Sequence, residues 1–316
     1  LFRSHRRHGG SSSAFETAQA GGVRIRVSNV AAASILSSFA GSGSTVGNIV
    51  WLASYPKSGN TWLRVFLANF IANRSTPVPL NELSRFAEDE ADPDLFAELA
   101  GRPSSSLDID EIAELRPQMH AAIAERATGT RFVKTHNMVG SFNGYPLHNM
   151  QVTAGAIYVV RNPLDVAVSM THHFGIGLDE AIERLGNENV ATANDAQFVS
   201  QVLGSWSQHV KSWADIKHDR VLVVRYEDMI DKPAKVFLKI VKLVTTGVDR
   251  ARIDRAIRHA DFRNLAEMER RHGFVEASGK GARFFRKGRP NEWRTELTRE
   301  QVQRVVTEHR EQMQRF

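Results

Sequence analysis

Lys57, His136 and Arg161 are the side chains of this 316-residue sequence whose types and surroundings point to chemistry on an anion. Lys57 lies in Tyr55-Pro56-Lys57-Ser58-Gly59-Asn60-Thr61. An apolar run, Ile49–Ala53, precedes it, and Trp62, Leu63, Val65, Phe66, Leu67, Phe70 and Ile71 follow at helical spacing. Strand, tight loop and helix aim backbone N–H groups and the positive end of a helix dipole at one spot. Lys57, Ser58, Asn60 and Thr61 add side-chain donors, and Gly59 lets the backbone approach a ligand, so the stretch reads as a phosphate cradle. It lacks GxxxxGK[ST], because Lys57 precedes Ser58-Gly59, so Mg²⁺-dependent nucleotide hydrolysis is not implied.

His136 closes a second strand candidate, Thr130–His136, that ends in Lys134-Thr135-His136. Ligands of open parallel sheets sit beyond the carboxyl ends of the strands, so His136 falls near the Lys57 loop if the two strands are neighbours. A neutral imidazole there can take a proton from a hydroxyl. The strand by itself equally fits a capping histidine. Arg161 ends a third strand, Ala156–Val160, ahead of a helix with Asn162 as N-cap and Pro163 at its first position. Together with Ser169, a turn and a half into that helix, Arg161 can hold a second phosphate. Asp165 is read as a capping carboxylate only. Between Arg271 and Arg289, Phe284 and Phe285 anchor a Gly-, Arg- and Lys-rich loop whose Arg286, Lys287 and Gly288 face an anion.

A fourth strand, Arg220–Arg225, leads into Tyr226-Glu227-Asp228-Met229 and a helix from Pro233 to about Leu243. Strand and helix alternate four times, which calls for a parallel sheet covered on both faces with right-handed crossovers. Residues 75–128 read as a helical insertion with a helix over Ile109–Ala127. Phe198–Ile216 reads as one helix, with Trp206 and Trp213 as core, and Val248–His259 as another. Residues 1–47, rich in Ser, Gly, Ala and Arg, form a disordered leader before a single domain, 48–316. The apolar patch Val30–Phe39 is too short to span a membrane. Lys plus Arg exceed Asp plus Glu by 41 − 35 = 6, which suits an anionic ligand without arguing for nucleic acid. Without cysteine, disulfides, thiol catalysis and Cys–zinc sites are excluded. The adjacent His172 and His173 point apart on a helix and do not make a metal pair.

With Tyr55–Trp62, Lys134-Thr135-His136, Arg161–Ser169, Tyr226–Met229 and Phe284–Gly288 in one order, the chain resembles the cytosolic-type sulfotransferases from about Ile49 to Leu297. These use 3′-phosphoadenosine-5′-phosphosulfate (PAPS) as sulfuryl donor. The resemblance implies an α/β fold, a P-loop-like parallel β-sheet flanked by helices, and a reaction without a metal. It implies that Lys57 sits on the bridging oxygen of the leaving phosphate, with Ser58, Gly59, Asn60 and Thr61 around it. Trp62 and Phe262 fall on aromatics that sandwich adenine, and Tyr226 on a residue at the adenine edge. Arg161 and Ser169, joined by Arg286, Lys287 and Gly288, fall on the 3′-phosphate contacts. His136 falls on the catalytic base and Lys134 on the lysine beside it.

The sequence departs from the family pattern at several places. Asn60 replaces a frequent threonine, a swap expected to keep a side-chain donor. Asn137-Met138 replaces a frequent Leu-Pro, with an altered acceptor pocket expected. Asn291-Glu292-Trp293 replaces Gly-Asp-Trp, and of the dimer motif KxxxTVxxxE only Thr298 remains, so the oligomeric state stays open. The reading is a cytoplasmic enzyme that moves a sulfuryl group from PAPS to a hydroxyl or amine of a small-molecule acceptor, with adenosine 3′,5′-bisphosphate (PAP) as product. No nucleic acid, membrane or metal takes part. A nucleotide kinase and a non-catalytic nucleotide binder are the alternatives.

Overall fold

Every residue of Ile49–Ser54 (β1) is buried, as an apolar run in the middle of a parallel sheet must be. The computed structural model describes residues 47–126, 128–277 and 283–316. β1 pairs in parallel with Arg131–Thr135 (β3) on one side and Thr153–Val160 (β6) on the other. Outside them lie Glu88–Asp89 (β2) and Val221–Arg225 (β7), giving the order β2-β3-β1-β6-β7. A small antiparallel hairpin, Ser141–Phe142 (β4) with Tyr145–Pro146 (β5), stands apart from this sheet. Ala53 faces Thr135, Ser54 faces Val159 and Val160 faces Arg225, so four strands end at a common level.

Alternation along the strands divides the core. Trp51 and Tyr158 belong to one apolar cluster, built with Ile109–Glu125 (α3), Pro163–Phe174 (α4), Leu178–Gly186 (α5) and Trp206–Ala214 (α6). Leu52 and Ile157 belong to the other, built with Asn60–Ala72 (α1), Pro233–Val244 (α8), Arg250–His259 (α9) and Phe262–His272 (α10). The remaining helices between these are Pro93–Ala100 (α2) and Tyr226–Asp231 (α7). Helices on both faces and parallel pairing throughout the main sheet match the architecture expected from the sequence. Among the described residues no helix is long and apolar enough to cross a membrane.

One local expectation is corrected, and two elements are added to those read from the sequence. The helix expected over Phe198–Ile216 occupies only Trp206–Ala214. Gly204 takes a left-handed φ of 62°, and Ser205 and Gln208 close a capping box that starts the helix there. Upstream, Gln201 and Val202 bond to Thr192 and Asn137 instead of to a helix ladder. The strand Glu88–Asp89 was not foreseen, since two acidic residues carry no apolar pattern. Tyr226–Met229, expected only as a motif after β7, forms the first turn of α7. The expected leader over residues 1–47 lies, Gly47 apart, outside the described residues, as does the part of the basic loop at residues 278–282.

Phe66 on α1 is fully buried and stacks on Phe237 of α8 with ring centroids 3.9 Å apart. Phe66→Ala is expected to lower the free energy of unfolding by about 3–5 kcal/mol in urea denaturation. A loss below about 1 kcal/mol would contradict this packing.

Candidate functional site

The shared strand ends open into one cavity of about 950 Å³. Its floor is the loop from β1 to α1. Lys57 and Gly59 both take left-handed backbone angles, with φ 66° and 105°. Ser58 N–H closes a turn on Tyr55 C=O at 3.2 Å, and no side chain caps the N-terminus of α1. Arg161, at the end of β6, donates from Nη1 to Lys57 C=O at 2.9 Å, while its guanidinium lies 4.5 Å from the Tyr226 ring centroid. The Ser58 hydroxyl and Arg161 Nε are buried and make no hydrogen bond to a described residue. Unsatisfied donors beside an uncapped helix start are what an anionic ligand would complete.

Lys57 Nζ sits 4.2 Å from the centre of the Phe284 ring rather than on a carboxylate. Burial, and after it the neighbouring Arg161 cation, push its ammonium down from 10.5 to about 7. Asn60 departs from expectation. Its amide nitrogen donates to Leu52 C=O at 2.7 Å, so its side chain braces β1 and only its backbone N–H remains for a ligand.

His136 follows β3, the neighbour of β1, and lines the same cavity as Lys57. Its Nδ1 lies 2.7 Å from Ser54 C=O. A carbonyl can only accept, so Nδ1 carries the proton and Nε2 the lone pair. Burial first, then the Lys134 cation, push the imidazole down to about 3, so the ring is neutral at neutral pH. Lys134 is itself held by Asp89 of β2 at 2.6 Å. His209 Nε2 donates to His136 C=O at 3.0 Å and so accepts the Tyr158 hydroxyl at Nδ1, 2.9 Å away.

The next residue, Asn137, is fully buried and satisfied on every side. Its N–H meets Thr135 Oγ1 at 3.0 Å, its amide nitrogen the Glu90 carboxylate at 2.8 Å, and its Oδ1 the Val202 N–H at 2.7 Å. Its carbonyl accepts from Trp213 at 3.1 Å. Met138 is buried in a separate small apolar cluster. The expectation that Asn137-Met138 reshapes an acceptor pocket is therefore corrected: neither lines the cavity, and Asn137 fixes the strand end that carries His136. Glu90, also fully buried, accepts from Arg116 at 2.8 Å and from His120 at 3.1 Å.

On the other side of the loop, Trp62 donates from Nε1 to Ala260 C=O at 2.9 Å and meets the Tyr226 ring edge-on at 5.8 Å. Gly288, with φ 61°, lies flat on Phe262, where a Cβ would come within 2.0 Å of the ring. Arg286 pairs with Glu292, and Lys287 approaches the same carboxylate at 3.6 Å. Asp165 is not a cap, contrary to expectation. Asn162 caps α4, and the buried Asp165 carboxylate accepts the N–H groups of Asn291 at 2.8 Å and Trp293 at 3.2 Å. Glu269 accepts the N–H groups of Phe284 and Phe285 at 2.6 and 2.9 Å, anchoring the basic segment as its aromatics suggested.

Every sequence-predicted site residue lines the cavity except Ser58, which is fully buried: Lys57, Gly59, Asn60, Thr61, Trp62, Lys134, His136, Arg161, Ser169, Tyr226, Phe262, Arg286, Lys287 and Gly288. Sequence reading missed Arg64 and Glu276, a two-pronged pair at 2.8 and 2.6 Å that seats Glu276 beside Thr61 in the cavity wall. A lone arginine one turn after Thr61 in an apolar helix was a visible signal for half of it. Phe174, Ala193, Phe198 and Gln201 also line the cavity and were not singled out from the sequence.

A family model described as a sulfotransferase domain matches residues 48–316. The chain is 30% identical over 179 residues to a protein of Oryctolagus cuniculus named amine sulfotransferase, covering 52% of this chain and 56% of that protein. It is 25% identical over 288 residues to sulfotransferase 1B1 of Mus musculus, covering 85% and 84%. The crystal structure of mouse sulfotransferase SULT7A1 complexed with PAP matches with a TM-score of 0.57 at 23% identity, over 95% of this chain and 94% of that one. Retinol dehydratase in complex with androsterone and inactive cofactor PAP matches at 0.59 with 20% identity, over 85% and 81%. At such identities the two structures show a shared fold.

A Cβ at Gly59 would meet the Tyr226 ring at 2.5 Å from a backbone angle that side chains rarely adopt. Gly59→Ala is expected to cost about 1–3 kcal/mol of stability in chemical denaturation. The loss should be partly recovered in Gly59→Ala/Tyr226→Ala, so additive losses would contradict the contact.

Proposed function

The chain belongs to the sulfotransferase domain family, and from that premise we propose that His136 and Lys57 carry sulfuryl transfer from PAPS to a hydroxyl or amine of a small-molecule acceptor. The observation that supports it best is one cavity lined from neighbouring strand ends by a proton-free imidazole nitrogen and a desolvated ammonium. PAPS supplies the sulfuryl group and leaves as PAP.

The roles follow from the chemistry of each group. His136 Nε2 takes the proton of the acceptor as its oxygen or nitrogen attacks, while Nδ1–H keeps the ring aimed through Ser54. Lys57, the Ser58 hydroxyl and the backbone N–H groups of Gly59, Asn60 and Thr61 hold the charge that gathers on the leaving phosphate. Preorganised donors of this kind are worth roughly 3–4 kcal/mol each. Trp62 and Phe262 take the adenine faces and Tyr226 its edge. Arg161, Ser169, Arg286, Lys287 and the Gly288 backbone take the 3′-phosphate, and Lys134, steadied by Asp89, keeps positive charge beside the base. Phe174, Ala193 and Phe198 with Gln201 suit an acceptor with an apolar body and a few polar groups. The same reading places the enzyme in the cytoplasm, and residues 48–316 form its catalytic domain.

His136→Ala is expected to lower kcat by at least about a hundredfold, with PAP affinity unchanged by calorimetry. Wild-type turnover in that variant would remove His136 from its role. PAP binding should also be linked to Lys57 protonation. The free ammonium loses its proton above about 7, and adjacent phosphates favour the charged form. Binding therefore takes up a proton above that value and weakens as pH rises beyond it, with no change on this account below it. Calorimetry in buffers of different ionisation enthalpy reads the uptake directly. Lys57→Arg should abolish it, and its absence in the wild type at about pH 8.5 would contradict the assignment.

A further inference from the structure

Glu292 stands where the proposed site needs cations free for an anion. Asp165 fixes the backbone on both sides of it by accepting the N–H groups of Asn291 and Trp293. The Glu292 side chain is only 9% exposed, lines the cavity, and pairs with Arg286 and, at 3.6 Å, with Lys287. Lys287 also reaches Glu296 of the short helix Trp293–Glu296 (α11) at 3.8 Å. Arg286 and Lys287 are the cations assigned above to the 3′-phosphate.

We propose that Glu292 is a resident carboxylate that occupies the 3′-phosphate cations until nucleotide arrives, and so sets how strongly the site prefers a 3′-phosphorylated nucleotide to one with a free 3′-hydroxyl. The inference rests on the reading of the site given above. Arg286 is part-buried and Lys287 more exposed, and two like charges held side by side without a counter-ion repel each other. Glu292 offsets that repulsion in the empty cavity. A phosphate dianion brings more charge and more acceptor oxygens than one carboxylate, so it displaces Glu292. The gain from a 3′-phosphate is then the difference between two pairings rather than the whole of one. A nucleotide without that phosphate leaves the Glu292 pairs in place. The carboxylate thus moderates the grip on PAP, which the enzyme must release after each turnover.

The test is calorimetry on the full chain with PAP and with adenosine 5′-monophosphate. Glu292→Gln keeps the shape and removes the charge, and should tighten PAP by about tenfold. It should tighten adenosine 5′-monophosphate by less than about twofold, because that ligand does not compete for the pair. Glu292→Asp keeps the charge and should stay near the wild type. Unchanged or weaker PAP binding in Glu292→Gln overturns the proposal, since Glu292 then orients the cations instead of competing for them. Equal tightening of both nucleotides, or a gain in Glu292→Asp matching that in Glu292→Gln, also overturns it. Arg286→Ala separates this from the underlying reading. Wild-type PAP affinity there removes the 3′-phosphate assignment itself, whereas lost affinity there with no gain in Glu292→Gln sinks only the role of Glu292.

Discussion

The hydrogen bond from His136 Nδ1 to the Ser54 carbonyl, 2.7 Å long, joins the two halves of the site. Ser54 is the last residue of β1, three positions before Lys57, and His136 directly follows β3. Because the bond is made to a carbonyl, it also decides the tautomer and leaves the lone pair on the other ring nitrogen. It can form only because β1 and β3 are parallel neighbours with Ala53 opposite Thr135. Moving that register by one residue would turn the strand's side chains to the opposite face and break the alignment of His136 with the loop. Sheet pairing, tautomer and the placement of His136 beside the Lys57 loop are thus one constraint.

A second, fully buried polar cluster keeps that alignment from relaxing. Glu90 follows β2 and accepts hydrogen bonds from Arg116 and His120 of α3 and from Asn137 beside His136. His120 Nδ1 accepts the Asn149 N–H, so its Nε2 carries the proton given to Glu90. Burial opposes the Glu90 charge, yet Arg116 and His120 hold its carboxyl below the usual carboxylate range. Apolar residues could fill such a space at similar stability, while removing one partner of a buried pair costs about 3–5 kcal/mol. What the cluster supplies is a fixed relation between the inserted segment, the strand that leads to His136, and the wall around Gln201.

Among the cations that line the cavity, Lys57, Lys134, Arg161, Arg286 and Lys287 are not all restrained alike. Lys134 has Asp89, and Arg286 and Lys287 share Glu292. Arg161 is spread over the Tyr226 face and spends one N–H on the loop backbone. Lys57 has an aromatic face and, among the described residues, no carboxylate within bonding distance, and burial pushes its ammonium down to about 7. A group left short of counter-charge in this way has the most to gain when an anion arrives, which places the strongest electrostatic response at the proposed leaving group.

Local pattern was enough to read the strand-loop-helix around Lys57, the strands ending at His136 and Arg161, the Asn162 cap and the doubly covered sheet. Each is encoded within a few residues, by apolar period, turn chemistry or helix-start preference. The sequence alone therefore determined which groups stand at the strand ends. Tertiary structure decided what those groups are bonded to. Asp165 holds residues 126 and 128 positions away, Arg64 finds Glu276 at a separation of 212, and Asn60 turns its amide back onto β1. The acidic strand Glu88–Asp89 exists because β3 offers it an edge, and the helix at Trp206 starts late because Asn137 and Thr192 claim the residues before it. Hydrogen bonds between distant segments leave no period in the chain. They are set only when the sheet has brought their partners together.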